Sequence, residues 1–273
     1  MRNRMLMTVF ALVLVPAVAQ AQSEWLVEET GVALEVGHTS FEEDFGLSAL
    51  SAGYFLSGRF QLPMGLAVVA ELPFAYASYD FDPGFGTPVE GSDNTIGNVY
   101  LGVEMPVMLG AATVEAGLRL PTHDSDLDDF SPLVGSLAGA VDRYDAFLTD
   151  VITPRVGLQV GMAATELIGV AANLGAAYLI FTEDGVDDDF VLDGGLRAFV
   201  GPGATRLGAG LEGMAVLTGE GEFADRSVFQ AGLWVDHDFG IVRPGVSLFL
   251  PLDEDYGEII SYVVGVSLQV SMP

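Results

Sequence analysis

Residues 50–62 read LSAGYFLSGRFQL, and their side chains alternate between apolar and polar along the chain. Leu56 belongs to an apolar face, whereas Ser57 and Arg59 belong to a polar one. Phe55 is the single large apolar residue on that polar face. Alternation with a period of two predicts a β-strand with one face in an apolar environment.

The same alternation recurs along the chain and predicts twelve strands. They are expected near residues 30–39, 48–62, 65–80, 95–107, 111–122, 150–162, 166–181, 190–201, 205–217, 227–237, 241–251 and 259–271. Tight connections alternate with longer ones, which lie near 40–47, 81–94, 123–149, 182–189, 218–226 and 252–258. This pattern is typical of an all-β fold, a transmembrane antiparallel up-and-down β-barrel with short periplasmic turns and long acidic extracellular loops.

A soluble exported barrel or sandwich is the competing architecture, because its strands would alternate in the same way. The apolar faces of the twelve segments are nearly free of charge, and the acidic residues concentrate in or beside the long loops. Both features favour a barrel in the bacterial outer membrane. The barrel is expected to close because lipid offers no partner to an unpaired strand edge.

Composition limits the possible functions and the compartment. Residues 1–21 read as a cleavable signal peptide, so a single barrel domain is expected over 22–273. All ten basic residues are arginines, against 38 acidic residues; losing two arginines with the signal peptide leaves a formal charge of −30. Such an acidic chain is not expected to bind nucleic acid through its phosphates. The excess of acid over base also suggests a salt-rich, halophilic habitat, where like charges are screened.

The polar faces of the strands carry the candidate functional residues, which are expected to line the lumen. They are Arg59, Glu71, Asn98, Glu104, Glu115, Arg119, Arg155, Asn173, Asp193, Arg197, Arg206, Glu212, Asp236 and Arg243. With Glu35, the six arginines face seven acids, which predicts a nearly neutral lumen. Two interpretations of these charges remain. In the first, arginines and acids on neighbouring strands pair with each other and brace the barrel. In the second, arginines and acids on opposite walls face each other across an aqueous path.

Residues 123–149 form the longest connection and contain a mild stretch, 131–141, rich in Leu, Ala and Gly. Loops of this length are usually functional or disordered. One hypothesis is that the segment folds inward or caps the mouth and narrows the path. The alternative is a mobile surface loop. Arg119 and Arg155 are expected near that mouth.

Catalysis and metal binding find little support in the sequence. No serine lies in a nucleophile elbow, the three histidines share no metal-ligand spacing, and the chain has no cysteine. Acidic clusters at 124–129, 184–189 and 253–258 could attract divalent cations, although none has the spacing of an EF-hand loop. We therefore expect no enzyme activity, no cofactor and no dedicated metal site.

Three short motifs carry a resemblance to a family. Leu72-Pro73-Phe74, a Gly97-Asn98 turn leading into Leu101-Gly102, and the run Gly117–Thr122 are similar to motifs of the outer-membrane barrels grouped with the phenol-degradation meta-pathway transporter proteins. The match covers about 50 residues directly. The resemblance implies a barrel for passive uptake of small molecules, often apolar or aromatic.

The sequence thus favours a passive channel or uptake pore for small solutes. The expected partners are the lipid bilayer, lipopolysaccharide, small-molecule solutes and, at the acidic loops, divalent cations. The alternative is a closed structural or surface-interaction barrel whose acidic loops bridge to neighbours through such cations. A continuous lumen would separate the two functions.

Overall fold

The structure is a computed structural model. It describes residues 30–42, 47–48, 50–81, 89–108, 111–123, 130–139, 141–165, 167–183, 185–201, 204–218 and 223–272. The predicted signal peptide, residues 1–21, lies outside the described residues, and so does the acidic cluster 124–129.

The described chain folds into antiparallel strands that close into a barrel. The strands are β1 Gly31–Phe41, β2 Ala52–Gln61, β3 Ala67–Phe81, β4 Val89–Ile96, β5 Val99–Val107, β6 Ala112–Leu120, β7 Val151–Ala163, β8 Ile168–Phe181, β9 Asp189–Val200, β10 Thr205–Val216, β11 Ser227–His237, β12 Val242–Pro251 and β13 Ile260–Ser271. Strands that follow each other in sequence pair with each other, except β4 and β5, which both pair with β3; β1 also pairs with β13. The β2–β3 pairing completes the ring, and β4 is paired on one side only.

Strands β4 and β5 form one continuous position in the wall, so the barrel has the predicted twelve positions. Strand β3 pairs with β5 as far as Glu71 and Tyr100, and then with β4 from Phe74 and Ile96 onward. Between the two pairings, the Gly97 amide donates to the Pro73 carbonyl at 3.0 Å. This strand was predicted to begin at residue 95, but in the structure it begins at residue 89. The prediction missed residues 89–94 because their polar sequence, VEGSDN, lacks the apolar alternation on which the prediction relied.

The two ends of the barrel differ as the sequence predicts. One end has tight connections at 62–66, 108–111, 164–167, 201–204 and 238–241, and the other has the long ones. The long connections include two short helices, α1 Ser131–Leu137 and α2 Glu254–Ile259, and the 3₁₀ segment Val141–Phe147. No helix among the described residues is long and apolar enough to cross a bilayer.

Apolar side chains cover the outside of the wall, and polar side chains point inward. On β2, Leu56 is 49% exposed outside, whereas Ser57 is 3% exposed inside. Aromatic residues near strand ends share the outer surface; Phe60, Tyr178 and Tyr262 are examples. A barrel that is apolar outside and polar inside is the arrangement expected of a barrel in lipid, where only the lumen can hold charge.

Candidate functional site

The long insertion folds into the barrel and packs against its inner wall. Residues 130–148 contact β1–β4 through α1, and β9–β11 through the 3₁₀ segment. The side chains of Val134, Ala146 and Phe147 are buried. Phe147 contacts Phe55 of β2, with ring centroids 6.1 Å apart. Phe55, the apolar residue on the polar face of residues 50–62, therefore has an apolar partner in the insertion.

Glycines on the inner wall make room for this segment. A Cβ atom on Gly37 would lie 1.7 Å from the Ala138 carbonyl oxygen, and one on Gly97 would lie 2.4 Å from the Ala146 carbonyl oxygen. Thr39 donates its hydroxyl to the Leu137 carbonyl at 2.9 Å. The insertion thus lies directly on the strand backbones, at the end of the barrel that carries the long connections.

Asn98 anchors the insertion instead of lining open space. Its side-chain amide donates to the carbonyls of Asp145, at 3.1 Å, and Leu148, at 2.6 Å. Its backbone amide donates to the Ala146 carbonyl at 2.7 Å, and its side-chain oxygen accepts from the His123 amide at 3.1 Å. A buried asparagine satisfied in this way fixes the position of the backbone around it.

A chain of buried ion pairs joins the insertion to the wall. Arg143 of the insertion contacts Glu35 of β1 at 2.7 Å and Glu71 of β3 at 2.9 Å. Arg119 of β6 contacts the same Glu71 at 3.0 Å and Asp145 of the insertion at 3.0 Å. Buried charges need such partners, because an unpaired one loses its hydration without compensation.

Further polar pairs fill the same region closer to the tight turns. Arg59 contacts Glu104 at 2.7 Å across the neighbouring strand. The Tyr100 hydroxyl donates to Glu115, and the Arg119 guanidinium carbon lies 5.5 Å from the centroid of the Tyr100 ring. We call this region, formed by β1–β6 and residues 130–148, the packed side of the lumen.

Along β8–β13 the lumen contains a cavity, and we call this region the open side. The cavity has a volume of about 180 Å³. The cavity extends from Asp142 and Arg143 of the insertion to Arg206 and Arg243 beside the tight turns. Neutral polar residues such as Ser247 line it between the charges.

The structure divides the fourteen predicted lumen residues between the two sides. Eight line the cavity: Arg119, Arg155, Asn173, Arg197, Arg206, Glu212, Asp236 and Arg243. Six are instead packed in the wall or behind the insertion: Arg59, Glu71, Asn98, Glu104, Glu115 and Asp193. Period-two alternation distinguishes the inner face from the outer one, but it does not show which inner positions another segment will cover.

The ion pairs run along the wall and not across the lumen. Arg197 of β9 contacts Glu212 of β10 at 2.6 Å, and Arg206 of β10 contacts Asp236 of β11 at 3.0 Å. Each of the six strand arginines has an acidic partner within 4.0 Å, most often on the next strand or the one after it. This geometry agrees with the bracing interpretation of the charges.

Arg119 and Arg155 lie at the predicted end of the barrel, but the insertion covers them. The side chain of Arg119 is 3% exposed. Arg155 contacts Asp193 at 2.8 Å and donates to the Asp142 carbonyl at 2.6 Å. They border the cavity together with Arg143 of the insertion.

The charge that lines the cavity differs from the predicted balance. Six arginines and four acids, Glu35, Asp142, Glu212 and Asp236, line the cavity, which leaves a formal charge of +2. The prediction of −1 omitted Arg143 of the insertion. It also counted acids such as Glu71 and Asp193, which lie behind the arginines and do not reach the cavity.

Among the residues that line the cavity without having been predicted are Tyr100, Asp142, Arg143 and Trp234. One signal for Arg143 was available, since it is a rare arginine in an otherwise acidic connection. Trp234 could not be predicted as a cavity residue, because tryptophan occurs commonly on either face of a strand.

Several groups outside the strands have altered pKa values, among them Tyr144 and Asp238. Burial, followed by the nearby charge of Asp145, raises the pKa of Tyr144, so this insertion residue stays neutral. The backbone amide of Gly240, followed by Arg243, lowers the pKa of Asp238 in a tight turn. Asp238 therefore stays ionised beside Arg243.

The histidines make structural hydrogen bonds. The Nδ1 atom of His38 lies 2.7 Å from the Ser51 carbonyl oxygen, and those of His123 and His237 lie 2.9 and 2.8 Å from threonine hydroxyls. Within the described residues, no group of three or more His, Asp or Glu side chains is arranged to hold a metal ion. The described residues include the acidic stretches 185–189 and 253–258, but they do not include 124–129 and 184.

Comparisons with known proteins match the fold and not the sequence. No family model matches the chain, and no curated protein matches it. An outer membrane channel from Pseudomonas putida F1 aligns over 91% of this chain and 97% of its own, with a TM-score of 0.57 and 15% identity. LpxR from Salmonella typhimurium aligns over 89% and 100%, with a TM-score of 0.54 and 9% identity.

The NanC porin is also similar; it aligns over 88% of this chain and all of its own, with a TM-score of 0.52 and 9% identity. At such low identity the likeness extends to the architecture alone. The chain thus has a closed antiparallel barrel fold that is also found in outer-membrane channels and porins.

Proposed function

We propose that this protein is a passive outer-membrane channel for the uptake of small solutes, and not an enzyme. The observation that carries the proposal is the cavity on the open side, inside a closed barrel with an apolar outer surface. Eight-stranded barrels are filled by side chains, whereas sixteen-stranded barrels leave a channel. Here twelve positions enclose more space than the wall fills, and residues 130–148 occupy only part of it.

The size and lining of the cavity are consistent with the passage of small polar or amphipathic molecules. A cavity volume of about 180 Å³ has room for several waters, since one water takes about 30 Å³ in the liquid. In the proposed orientation the tight turns are periplasmic, and the acidic connections face outward towards lipopolysaccharide and divalent cations. The resemblance to the phenol-degradation meta-pathway transporter barrels supports small apolar or aromatic solutes as cargo.

Single-channel recording in a planar bilayer tests the proposal. The mature chain, refolded in detergent, is expected to give discrete conductance steps at both high and low salt. Heat-modifiable gel mobility provides the folding control, because a closed barrel migrates differently before and after boiling. Folded protein that gives no steps at either salt concentration would overturn the channel.

Residues 130–148 are proposed to form the constriction of this channel. Deleting 131–141 removes α1 but keeps Arg143 and its contacts with β1 and β3. We expect the deletion variant to fold and to conduct several-fold more current, since channel conductance rises with the cross-section of the narrowest part. Unchanged conductance in a folded deletion variant would exclude this segment as the constriction.

A further inference from the structure

We infer that the open side of the lumen binds small organic anions. In this site Arg197, Arg206 and Arg243 hold a carboxylate, and Trp234 supports a flat apolar body. The inference rests on the proposed channel for the access route of the solute, and it adds the chemical class of that solute.

Accessibility of the charged groups is the first argument. The side chains of Arg197 and Arg206 are 28% and 25% exposed, whereas those of their partners Glu212 and Asp236 are 7% and 15% exposed. The side chain of Arg243 is 20% exposed, and its nearer partner Asp238 is 41% exposed. A solute beside Arg197 and Arg206 therefore meets guanidinium donors before it meets carboxylate acceptors. Arginine is suited to this contact, because its planar donors match the two oxygens of a carboxylate.

The aromatic surface beside these arginines is the second argument. A Cβ atom on Gly208 would lie 2.0 Å from Cε2 of Trp234, so the indole ring rests on the bare backbone of β10. The Arg197 guanidinium carbon lies 6.0 Å from the centroid of the Trp234 ring. Phe249 lies in the same way over Gly232 and also lines the cavity. Flat apolar surfaces next to guanidinium groups suit an anion with a planar body.

The sign of the lining is the third argument. The chain has a formal charge of −28, yet six arginines and only four acids border the cavity directly. The acids Glu71, Asp193 and Asp238 contact some of these arginines from outside the lining, at 2.8–3.2 Å, and offset their charge. The groups that an anion in the cavity can contact are therefore mainly guanidinium groups.

Ion selectivity tests the sign with two variants of one ion pair. Arg206→Gln and Asp236→Asn each remove one partner of the same 3.0 Å contact, and they change the charge of the lining in opposite directions. Asp236 also lies 3.9 Å from Arg243, so the folding control is applied to both variants. A unit charge about 7 Å from an ion in water changes its local occupancy about threefold. We expect the chloride-to-potassium permeability ratio to exceed 1 in the native protein, to fall about threefold in R206Q and to rise about threefold in D236N.

Arg226→Gln is the matched control, because it removes the same charge in a long connection outside the cavity. The ratio is obtained from the reversal potential in a KCl gradient. R226Q is expected to leave it unchanged. A cation-selective native protein, or R206Q and D236N shifting in the same direction, would overturn the inference.

Benzoate binding tests the site without any need for conduction. Trp25 and Trp234 are the only tryptophans, so Trp25→Phe leaves Trp234 as the single reporter of fluorescence. We expect benzoate to quench this fluorescence saturably, and benzyl alcohol of similar size to do so far more weakly. Arg206→Gln with Arg243→Gln should weaken benzoate binding at least tenfold, by loss of charged hydrogen bonds.

The two experiments separate the two claims. If the protein gives conductance steps but shows neither anion preference nor benzoate binding, the anion site is overturned and the channel stands. Benzoate binding in a folded protein that gives no steps would overturn the channel and leave the site.

Discussion

The packed side and the open side of the lumen use the same arginine–carboxylate contacts in different surroundings. On the packed side, Arg143 contacts Glu35 at 2.7 Å and its side chain is 9% exposed. On the open side, Arg206 contacts Asp236 at 3.0 Å and its side chain is 25% exposed. Similar geometry gives a buried brace where a neighbouring segment covers the pair, and a cavity lining where nothing among the described residues covers it.

The difference originates in one insertion. Residues 130–148 bring apolar groups, backbone carbonyls and Arg143 onto β1–β4, and the glycines of that wall leave room for them. Strands β11–β13 receive far less of this cover, so their inward residues border the cavity. The function of an inward charge in this barrel is thus decided by what lies over it and not by its residue type.

Removing one charge from each side should separate the two surroundings most strongly. Arg143→Gln leaves Glu35 buried without a cation and leaves Glu71 with Arg119 as its partner, and we expect the free energy of unfolding to fall by about 3–5 kcal/mol. Arg206→Gln, the control on the open side, should cost about 1 kcal/mol or less, because water can solvate Asp236. Guanidinium unfolding of the refolded barrels measures both. Equal losses would contradict the distinction between the sides.

Adding a methyl group to two neighbouring strands tests the close contact on the packed side. Gly37→Ala places its Cβ 1.7 Å from the Ala138 carbonyl oxygen, whereas Gly58→Ala finds its nearest atom at 4.0 Å. We expect G37A to lower the free energy of unfolding by about 1–3 kcal/mol, since the insertion must move from the wall. G58A should be nearly neutral in the same assay. A neutral G37A would mean that the insertion does not lie on β1.

The smallest effect is expected at the rim of the open side, where Asp238 accepts a hydrogen bond from Gly240 and pairs with Arg243. These contacts lower its pKa, so their stabilisation is present above the unfolded pKa and is lost as the pH falls through the folded pKa. The Asp238→Asn variant should therefore lose less stability than the native protein when the pH is lowered from 6 to 3. The comparison uses melting temperatures at both pH values, and an identical decrease in the two proteins would refute it.

Much of the wall could be predicted from the sequence, because lipid outside and water inside impose an alternation on every strand. Residues 50–62 show this in one segment. The short polar strand β4 was missed, since neither of its faces is clearly apolar. Even the exception was informative, because an inward Phe55 requires an apolar partner such as Phe147.

The arrangement inside the lumen could not be predicted in this way. Arg143 and Glu35 are 108 residues apart in the chain and meet only after the barrel has closed around the insertion. Nothing in local periodicity specifies that contact. The same limit explains why Glu71 and Asp193 were expected at the cavity but lie buried behind arginines.

Chemical labelling of two engineered cysteines tests the difference between the sides most directly. The native chain has no cysteine, so Ser247→Cys on the open side and Ser57→Cys on the packed side each create a single thiol. Ser247 lines the cavity, whereas Ser57 is 3% exposed beside Glu71. We predict that a charged methanethiosulfonate reagent modifies S247C rapidly in the folded barrel and S57C only after unfolding. Equal rates, or faster labelling of S57C, would contradict a lumen with one packed and one open side.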